Sequence, residues 1–202
     1  MNLETHWNNI FEKTKNEKLG WWESGTSQTM YFIKDLSVNP NTNIFLAGAG
    51  TSILVDELVK IKCNLILNDI SKIALEKVKN KLLNKQNIKF FKYDLSKPFN
   101  NKDIDIWIDR AVLHFLIKEE DIKIYFGNLK NNLKTGGFVL LAQFRVGGAT
   151  SCASLPINQY SLNKFLENLG DKFKLMKSKE VDFVNPNGDK KEYIYALFQK
   201  IS

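Results

Sequence analysis

The stretch Ile44-Phe45-Leu46-Ala47-Gly48-Ala49-Gly50-Thr51 decides the fold of this chain. Its first four residues are apolar and predict a short buried strand. Two glycines follow directly, and a helical pattern then extends from residue 51 to residue 60. Glycines let the backbone turn tightly and approach a ligand closely. A strand, a glycine turn and a helix in this order indicate a nucleotide-binding unit, although a tight turn without a ligand is the simpler alternative.

Strands and helices alternate along the chain after this stretch. Apolar runs predict further strands at residues 64–67, 88–91, 104–108 and 138–142. Helical patterns predict a helix that Ser71 caps and another over residues 118–133, which we expect to stop at Gly136-Gly137. Alternation of this kind predicts a parallel sheet that is covered by helices on both faces.

The two ends of the chain depart from this alternation. Strand-like runs at residues 173–183 and 192–198 flank a turn sequence at residues 185–188, which predicts an antiparallel hairpin. Residues 1–40 lack a strand and are predicted to form helical segments over the sheet. We therefore expect a three-layer αβα, Rossmann-like sheet, mostly parallel with a C-terminal antiparallel hairpin. We expect a single domain, in which residues 1–40 cover a core of residues 41–202.

The composition limits the classes of protein that this chain can be. At 202 residues and 44% hydrophobic content, it can bury one sizeable core. It has neither an apolar run of the roughly 20 residues that a membrane span needs nor the pattern of a secretory signal. Cys63 and Cys152 do not suggest a disulfide framework, so we expect a cytoplasmic protein without a membrane partner. Its two histidines and two cysteines lie far apart, and we expect no metal site.

The net charge of +7 raises the question of a nucleic-acid partner. Of the 29 lysines and arginines, only Arg110 and Arg145 are arginine, and the lysines are scattered. Nucleic-acid sites usually have clustered basic residues and arginine forks. We therefore expect a solvated lysine-rich surface, a small-molecule partner and a monomer.

Two carboxylates indicate which nucleotide the glycine turn accepts. Asp69 ends the second strand and can accept both hydroxyls of a ribose, whereas Asp94 follows the third strand, where it can hold an adenine amino group. A dinucleotide fingerprint would place a third glycine at position 53, where this chain has Ile53. Neither carboxylate suits a phosphate-rich ligand. The residues favour adenosine without phosphates over an NAD-type cofactor, and a binding module without catalysis remains an alternative.

Four segments resemble the successive motifs of class I S-adenosylmethionine (SAM)-dependent methyltransferases. They are residues 45–52, 68–71, 93–95 and 107–111, and the order and spacing match across residues 43–145. The resemblance implies that SAM is the cofactor and that Gly48 to Gly50 face its methionine part. It implies that Asp69 binds the ribose, that Asp94 and Leu95 bind the adenine, and that Asp109 and Arg110 line the methyl-transfer site. Leu46 departs from the family, in which many members carry an acid there.

Asp109-Arg110-Ala111 also resembles the Asp-Arg-Gly/Ala segment of thiopurine and related thiol S-methyltransferases. The opening, with Trp7, Phe11 and the aromatic residues near Gly20, resembles the N-terminal cover of those enzymes. Protein lysine methyltransferases carry a comparable Asp-Lys-Gly segment. No Asn/Asp-Pro-Pro-aromatic tetrapeptide follows the fourth strand, which weakens the case for methylation of base amino groups. This resemblance implies a thiol or other sulfur nucleophile as acceptor, with a protein lysine as the alternative.

The candidate site residues fall into three overlapping groups. The candidate cofactor-binding residues are Trp7, Phe11, Trp22, Leu46, Gly48, Ala49, Gly50, Thr51, Asp69, Ile70, Asp94, Leu95 and Asp109. The candidate catalytic residues are Asp109, Arg110 and His114, and the candidate substrate-binding residues are Trp22, Arg110, His114 and Arg145.

Several of these residues have a structural alternative to the functional role. Arg110 and Arg145 could form surface ion pairs, His114 could be a core histidine, and Cys152 could be an inert buried thiol. A base is required only if the acceptor must lose a proton, as an amine must, and His114, Asp109 and Glu23 are the candidates. A thiol with a pKa near 8.5 is already partly ionised, so positive charge alone can suffice.

Overall fold

The computed structural model describes residues 2–22, 25, 27–82, 87–101, 103–185 and 187–202. Its helices are α1 (Leu3–Lys13), α2 (Ser27–Ile33), α3 (Ile53–Leu58), α4 (Lys72–Lys81), α5 (Glu119–Asn132) and α6 (Leu162–Leu169), with 3-10 turns at Asn16–Lys18 and Leu113–Phe115. Its strands are β1 (Asn43–Ala47), β2 (Asn64–Asp69), β3 (Ile88–Lys92), β4 (Ile104–Arg110), β5 (Leu133–Phe144), β6 (Ser151–Cys152), β7 (Leu155–Pro156), β8 (Phe173–Val184) and β9 (Lys190–Lys200). Among these helices, none has the length and apolar character to cross a membrane.

The main sheet has seven strands in the order β3-β2-β1-β4-β5-β9-β8. Strands β1 to β5 run parallel to one another. Strand β9 lies between β5 and β8 and runs antiparallel to both. The predicted fold class is confirmed. The chain builds outward from β1 to β3 and then crosses back to β4. Since ligands in open α/β sheets bind where the strand order reverses, the crevice between the carboxyl ends of β1 and β4 is the expected site.

Helix boundaries differ from the predictions in two places. α3 is shorter than the predicted helix over residues 51–60, because the Ser52 hydroxyl caps it by accepting from the Leu54 amide at 3.1 Å. Strand β5 begins at Leu133, and Gly136-Gly137 lie within it instead of ending the preceding helix, because Leu133 already pairs with Ile104. The predicted cap of α4 is confirmed, since the Ser71 hydroxyl accepts from the Ala74 amide at 3.1 Å.

Alternation along the strands divides the core into two faces. Ile44 and Leu46 of β1 pack on the side covered by α2, α3 and α4, which we call the α2 face. Phe45 and Ala47 pack on the side covered by α5 and α6, the α5 face. Successive strand side chains point to opposite faces, so the buried residues of one strand are divided between the two cores.

A β-bulge between Leu175 and Lys177 changes the faces that β8 presents. Before it, Phe173 and Leu175 pack on the α5 face, whereas Val181 and Phe183 after it pack on the α2 face. One extra residue in a strand reverses the alternation of all residues beyond it. The bulge therefore brings Phe183 to the side of the sheet on which Arg110 lies.

The N-terminal segment packs on α4 through α1. Phe11 is buried against Ala74, and its carbonyl accepts from the Lys77 ammonium at 2.5 Å. The Asn8 side-chain oxygen accepts from the Ser71 hydroxyl at 2.7 Å. These contacts hold α1 against α4.

Candidate active site

A pocket lies at the carboxyl edge of β1, β2 and β4, beneath the N-terminal segment. Thirteen of the residues predicted from the sequence line it: Trp7, Phe11, Trp22, Leu46, Gly48, Ala49, Gly50, Thr51, Asp69, Ile70, Asp94, Leu95 and Arg110. The lining also includes residues that the sequence reasoning did not select, among them Leu19, Trp21, Thr29, Asn68, Val112 and Phe115. The structure thus brings together residues from five separate segments of the chain.

The glycine turn is the floor of this pocket. Gly48 and Gly50 have φ values of +58° and +51°, a backbone conformation that side chains disfavour. A Cβ on Gly48 would lie 2.1 Å from Cγ2 of Val112, and one on Gly50 would lie 3.2 Å from the ring of Phe11. Both glycines are therefore required by backbone conformation and by close packing.

Asp69 braces the glycine turn from the end of β2. Its Oδ2 accepts from the Gly50 amide and its Oδ1 from the Ser71 amide, each at 2.8 Å. Burial raises the pKa of Asp69 to about 6, and the hydrogen bonds from backbone amides offset this only in part. Each carboxylate oxygen keeps a further acceptor position, so Asp69 can hold the turn and still accept ligand hydroxyls.

Asp94 and Leu95 line the pocket beyond β3, at the edge nearest to Ile70. Asp94 Oδ1 accepts from the Ser96 amide at 2.9 Å, and Leu95 is buried. The two acidic residues that we predicted for adenosine binding therefore lie on the β2 and β3 side of the same pocket.

Asp109, which was predicted as a catalytic and cofactor-binding residue, is not among the described residues that line the pocket. It is fully buried on the α5 face, and its Oδ1 accepts from the Val112 amide at 2.9 Å and from Gln143 Nε2 at 2.8 Å. Its Oδ2 accepts from the Leu113 amide at 3.1 Å and from the Tyr125 hydroxyl at 2.5 Å. Adjacent residues of a strand point to opposite faces, and the side chain of Asp109 lies on the face opposite to that of Arg110. Asp109 instead fixes the loop that follows β4.

Tyr125 and Gln143 are polar residues of this network that the sequence reasoning missed. Tyr125 accepts from the Trp107 indole nitrogen at 3.1 Å while it donates to Asp109. Burial is the largest of the effects that raise the pKa of the Tyr125 hydroxyl, which therefore keeps its proton. Burial also raises the pKa of Asp109 to about 6 despite its four donors. A polar residue near the end of an apolar strand, as Gln143 is, was the signal that could have revealed the network.

Arg110 lies in the pocket, on the α2 face of β4. Its Nε donates to the Tyr195 hydroxyl and its Nη1 to the Trp21 carbonyl, both at 3.2 Å. The guanidinium carbon lies 5.4 Å from the ring centre of Phe183 and 5.3 Å from that of Tyr193. Arg110 is thus held in a fixed orientation, and it carries a positive charge at the β4 side of the pocket.

His114 and Arg145, which were predicted as site residues, are not among the described residues that line the pocket. His114 is fully buried between the rings of Phe115 and Phe144, and no described residue forms a hydrogen bond to either of its ring nitrogens. Burial lowers its pKa to about 3, which the nearby Gln143 side chain offsets only in part. Such a ring is a poor proton acceptor.

Arg145 directly follows β5, and its side chain lies on the face of the sheet opposite to that of Phe144. Its Nε lies 3.5 Å from Glu180 Oε2 and its Nη2 3.5 Å from Asp182 Oδ1, both on β8. This ion pairing is the structural alternative considered for Arg145. Since Arg145 points to the α5 face and Arg110 to the α2 face, the two arginines do not form one substrate rim.

Aromatic rings of the N-terminal segment form a wall of the pocket next to the glycine turn. Trp7 packs edge-on against Trp21 and Phe115, with ring centres 5.4 and 4.9 Å apart. Phe11 contacts Trp21 in the same way at 6.0 Å. Thr51 donates to the side chain of Asn16 at 2.6 Å and so joins this wall to the glycine turn. Glu23, a candidate base, lies outside the described residues.

The described residues contain no group of three or more histidine, cysteine or acidic side chains that could hold a metal. Cys63 and Cys152 are both buried free thiols, and burial raises the pKa of each. Cys152 therefore has the properties of the inert thiol considered from the sequence.

Comparisons with known proteins agree with this arrangement. Residues 46–141, just under half of the chain, match the family described as a methyltransferase domain. Malonyl-[acyl-carrier protein] O-methyltransferase 2 of Ilyobacter polytropus is 29% identical over 104 residues, which are 50% of this chain. The match spans only 39% of the length of that relative.

Solved methyltransferase structures share the fold at low sequence identity. A SAM-dependent methyltransferase from Anabaena variabilis superposes with a TM-score of 0.76 and 16% identity, over 98% of this chain and 93% of the other. The N-methyltransferase NodS of Bradyrhizobium japonicum, in complex with S-adenosylhomocysteine, has a TM-score of 0.74 and 12% identity, over 98% and 100%.

The residues that line the pocket fit SAM. The glycine turn leaves no room for side chains at its closest approach, Asp69 and Asp94 offer acceptors for hydroxyl and amino groups, and aromatic rings form an apolar wall. The chain therefore has the fold of these solved methyltransferases, and residues 46–141 are similar to a methyltransferase domain.

Proposed function

We propose that this methyltransferase domain transfers the methyl group of SAM to a small-molecule acceptor, and that the acceptor is a thiol or another sulfur nucleophile. Residues of the β2 and β3 side, Asp69 and Asp94, bind the adenosine part. Arg110 and the aromatic wall, which includes Trp22, form the acceptor side.

The observation that carries this proposal is the position of Arg110, which lines the pocket and is oriented by Tyr195 and the Trp21 carbonyl. Among the described residues that line the pocket, the only carboxylates are Asp69 and Asp94, and both follow strands on the other side of the site. Asp109 is enclosed by its own hydrogen bonds, and His114 is buried outside the lining. An acceptor that already carries negative charge needs no base, and a thiol is partly ionised near neutral pH.

The residues of the chain then contribute by binding and alignment. When bound, SAM supplies a methyl group that its sulfonium has already activated. The aromatic wall excludes water, and the Asp109 network holds the β4 loop so that Arg110 keeps its orientation. The positive charge of Arg110 lowers the pKa of an approaching thiol and attracts the thiolate.

Protein lysine methylation is less compatible with this site. Arg110 would repel a lysine ammonium, and the net charge of +7 would oppose a basic substrate. The ammonium would also have to lose a proton, for which the described part of the lining offers no base near Arg110.

Carboxylate O-methylation is the second candidate, and a specific observation favours it. The curated relative is, by its name, an O-methyltransferase acting on malonyl-[acyl-carrier protein]. A carboxylate acceptor is also anionic and needs no base, so Arg110 fits it as well. The match covers only part of that relative, and we therefore place the carboxylate second.

The test is methyl transfer from labelled SAM to sulfide, methanethiol, thiophenol, small carboxylates and protein lysates. We expect thioether products from the thiols. Ester formation with carboxylates alone would favour the second candidate, and labelling of a lysate protein without turnover of any small molecule would favour the lysine alternative. Thermal shifts with SAM, S-adenosylhomocysteine and NAD serve as the donor control, and stabilisation by NAD alone would contradict the donor assignment.

A further inference from the structure

Asn185 is a buried polar residue in the turn of the C-terminal hairpin, between β8 and β9. It is 4% exposed, and its Oδ1 accepts from the backbone amides of Asn187 and Asp189 at 3.0 and 2.8 Å. Its Nδ2 donates to Asp189 Oδ2 at 3.0 Å and to the Gly20 carbonyl at 3.2 Å. Because both donors and both acceptor positions of the amide are used, only this orientation of the side chain satisfies the four partners.

The bond to Gly20 is the one that leaves the turn. It joins the hairpin to the N-terminal segment, 165 residues earlier in the chain, whereas the other three bonds lie within the turn. A Cβ on Gly20 would lie 3.8 Å from Asn185 Nδ2, so the two residues pack closely. Gly20 and Trp21 belong to no helix or strand. Their carbonyls accept from Asn185 and Arg110, so side chains from remote parts of the chain fix this stretch of backbone.

Trp21, which follows Gly20 directly, connects this bond to the pocket. Its ring lines the pocket and packs edge-on against Trp7 and Phe11, with ring centres 5.4 and 6.0 Å apart. Phe11 in turn lies against the glycine turn, since a Cβ on Gly50 would come within 3.2 Å of its ring. The aromatic wall therefore borders the glycine turn as well as the acceptor side, and its position depends on the backbone at residue 20.

We infer that Asn185 is a positioning residue of the donor site, whose bond to the Gly20 carbonyl holds the aromatic wall in place before a ligand binds. Without this bond, part of the binding free energy is used to order the wall, and the affinity falls with the fraction of molecules in which the wall is formed. The inference rests on the proposed function for the identity of the ligand. The state of the wall in the free protein can be measured without any ligand.

The test is a swap that removes the bond to Gly20 and keeps the turn. In Asn185→Asp/Asp189→Asn, the carboxylate introduced at position 185 still accepts from the two turn amides and from the amide side chain introduced at position 189. It cannot donate to the Gly20 carbonyl, which it meets with an oxygen. Asp189→Asn alone is the matched control, because its new amide oxygen still accepts from Asn185 and leaves the bond to Gly20 intact. Both variants lose the ion pair of Asp189 with Lys191, so its effect cancels in the comparison.

Hydrogen exchange of the free proteins measures the wall directly, through peptides that cover residues 18–22. The Trp22 amide, which bonds to the Leu19 carbonyl at 2.9 Å, should exchange faster in the swap than in the control. Calorimetry should show that S-adenosylhomocysteine binds the swap about three- to tenfold more weakly, as expected for the loss of one hydrogen bond between neutral groups. Adenosine lacks the part of the ligand that we expect to face the glycine turn, so its affinity should differ less than about twofold between the two variants.

Equal exchange at residues 18–22 together with equal S-adenosylhomocysteine affinity would show that the bond to Gly20 positions nothing, and would overturn the inference. An equal loss of affinity for adenosine and S-adenosylhomocysteine, or a swap that does not fold while the control does, would show a purely structural role for Asn185 and would overturn it as well. Failure of the proposed function gives a different result. A wild-type protein that binds neither ligand would contradict the SAM assignment, while faster exchange in the swap would still support the positioning of the wall by Asn185.

Discussion

The Tyr125 hydroxyl donates a 2.5 Å hydrogen bond to Oδ2 of Asp109, and both side chains are completely buried. This bond connects α5 to the loop after β4. The other Asp109 acceptor positions bind amides of that loop and the Gln143 side chain. The residue next to Asp109 is Arg110, so these hydrogen bonds hold the backbone beside the pocket arginine from the opposite face of the sheet.

Replacing Tyr125 with phenylalanine should therefore lower both stability and activity. The Trp107 indole loses its acceptor and Asp109 loses a donor, so the free energy of unfolding should fall by about 1–3 kcal/mol. Urea denaturation measures this change. The control is Tyr93→Phe, whose hydroxyl makes an exposed bond to the Pro98 carbonyl and should matter by less than about 0.5 kcal/mol. An equal decrease in the free energy of unfolding of the two variants would contradict a structural role for the buried Tyr125–Asp109 bond.

Asp69→Ala should weaken SAM binding more than tenfold. The variant removes an acceptor for ribose hydroxyls and the brace of the Gly50 amide, and a hydrogen bond to a charged group contributes about 1.5–3 kcal/mol. Calorimetry on the folded variant measures the affinity. Asp56→Ala is the control, because Asp56 pairs with Lys81 outside the pocket. Unchanged SAM affinity in folded Asp69→Ala would refute the ribose assignment.

Replacements of Arg110 should reduce turnover in a graded way. Arg110→Lys keeps the charge but cannot reach Tyr195 and the Trp21 carbonyl with one planar group, so it should retain some turnover, whereas Arg110→Ala should lose most of it. Steady-state methyl transfer measures both. The chain offers Arg145→Ala as a matched control, because Arg145 pairs with Glu180 and Asp182 away from the pocket. Full methyl-transfer activity in Arg110→Ala would show that Arg110 does not act on the acceptor side.

His114→Phe should stabilise the protein more at pH 5 than at pH 7.5. The folded pKa of His114, about 3, lies below the value of 6.5 in the unfolded chain. Below pH 6.5 the unfolded state therefore binds a proton that the folded state does not, and stability falls as the pH falls. At pH 5 the penalty is about 2 kcal/mol, and at pH 7.5 it is absent.

Denaturation of wild type and His114→Phe at both pH values measures this difference. Methyl transfer should survive the substitution, because His114 does not line the pocket. Abolished turnover in a stable His114→Phe protein would restore the histidine as a catalytic base.

Ala111→Gly should stabilise the protein. Ala111 has a φ of +71°, and its amide is fixed by a 3.0 Å bond to the Ala142 carbonyl. A side chain in this conformation costs about 1–2 kcal/mol, and glycine loses part of that gain through chain entropy, so the net gain should be about 0.5–1 kcal/mol. Thermal denaturation measures it. Ala47→Gly, in extended β1, is the control and should be destabilising; a loss in both variants would argue against strain at Ala111.

The order of motifs along the chain was sufficient to predict the fold. Alternating apolar runs and helical patterns predict the parallel sheet, and the hairpin sequence predicts its antiparallel edge. Asp69 and Asp94 could be placed in the pocket because the carboxyl ends of parallel strands meet at one edge. These features depend on local sequence and on spacing, which a single sequence contains.

The direction in which each side chain points was decided only by the tertiary structure. Asp109 and Arg110 are neighbours in sequence but lie on opposite faces of β4, and Arg145 lies on the face opposite to Arg110. His114 is part of the core because aromatic rings from β5 and β9 enclose it.

Distant segments also created features that no local pattern contains. The bulge at Leu175/Lys177 reverses the faces of β8, and so turns Phe183 toward Arg110. Asn185 of the C-terminal hairpin holds the Gly20 carbonyl beside the aromatic wall. The sequence by itself determined which strands and turns exist and in what order, because these follow from short-range patterns. Which polar groups face the pocket depends on register, bulges and contacts between remote residues, which only the folded chain specifies.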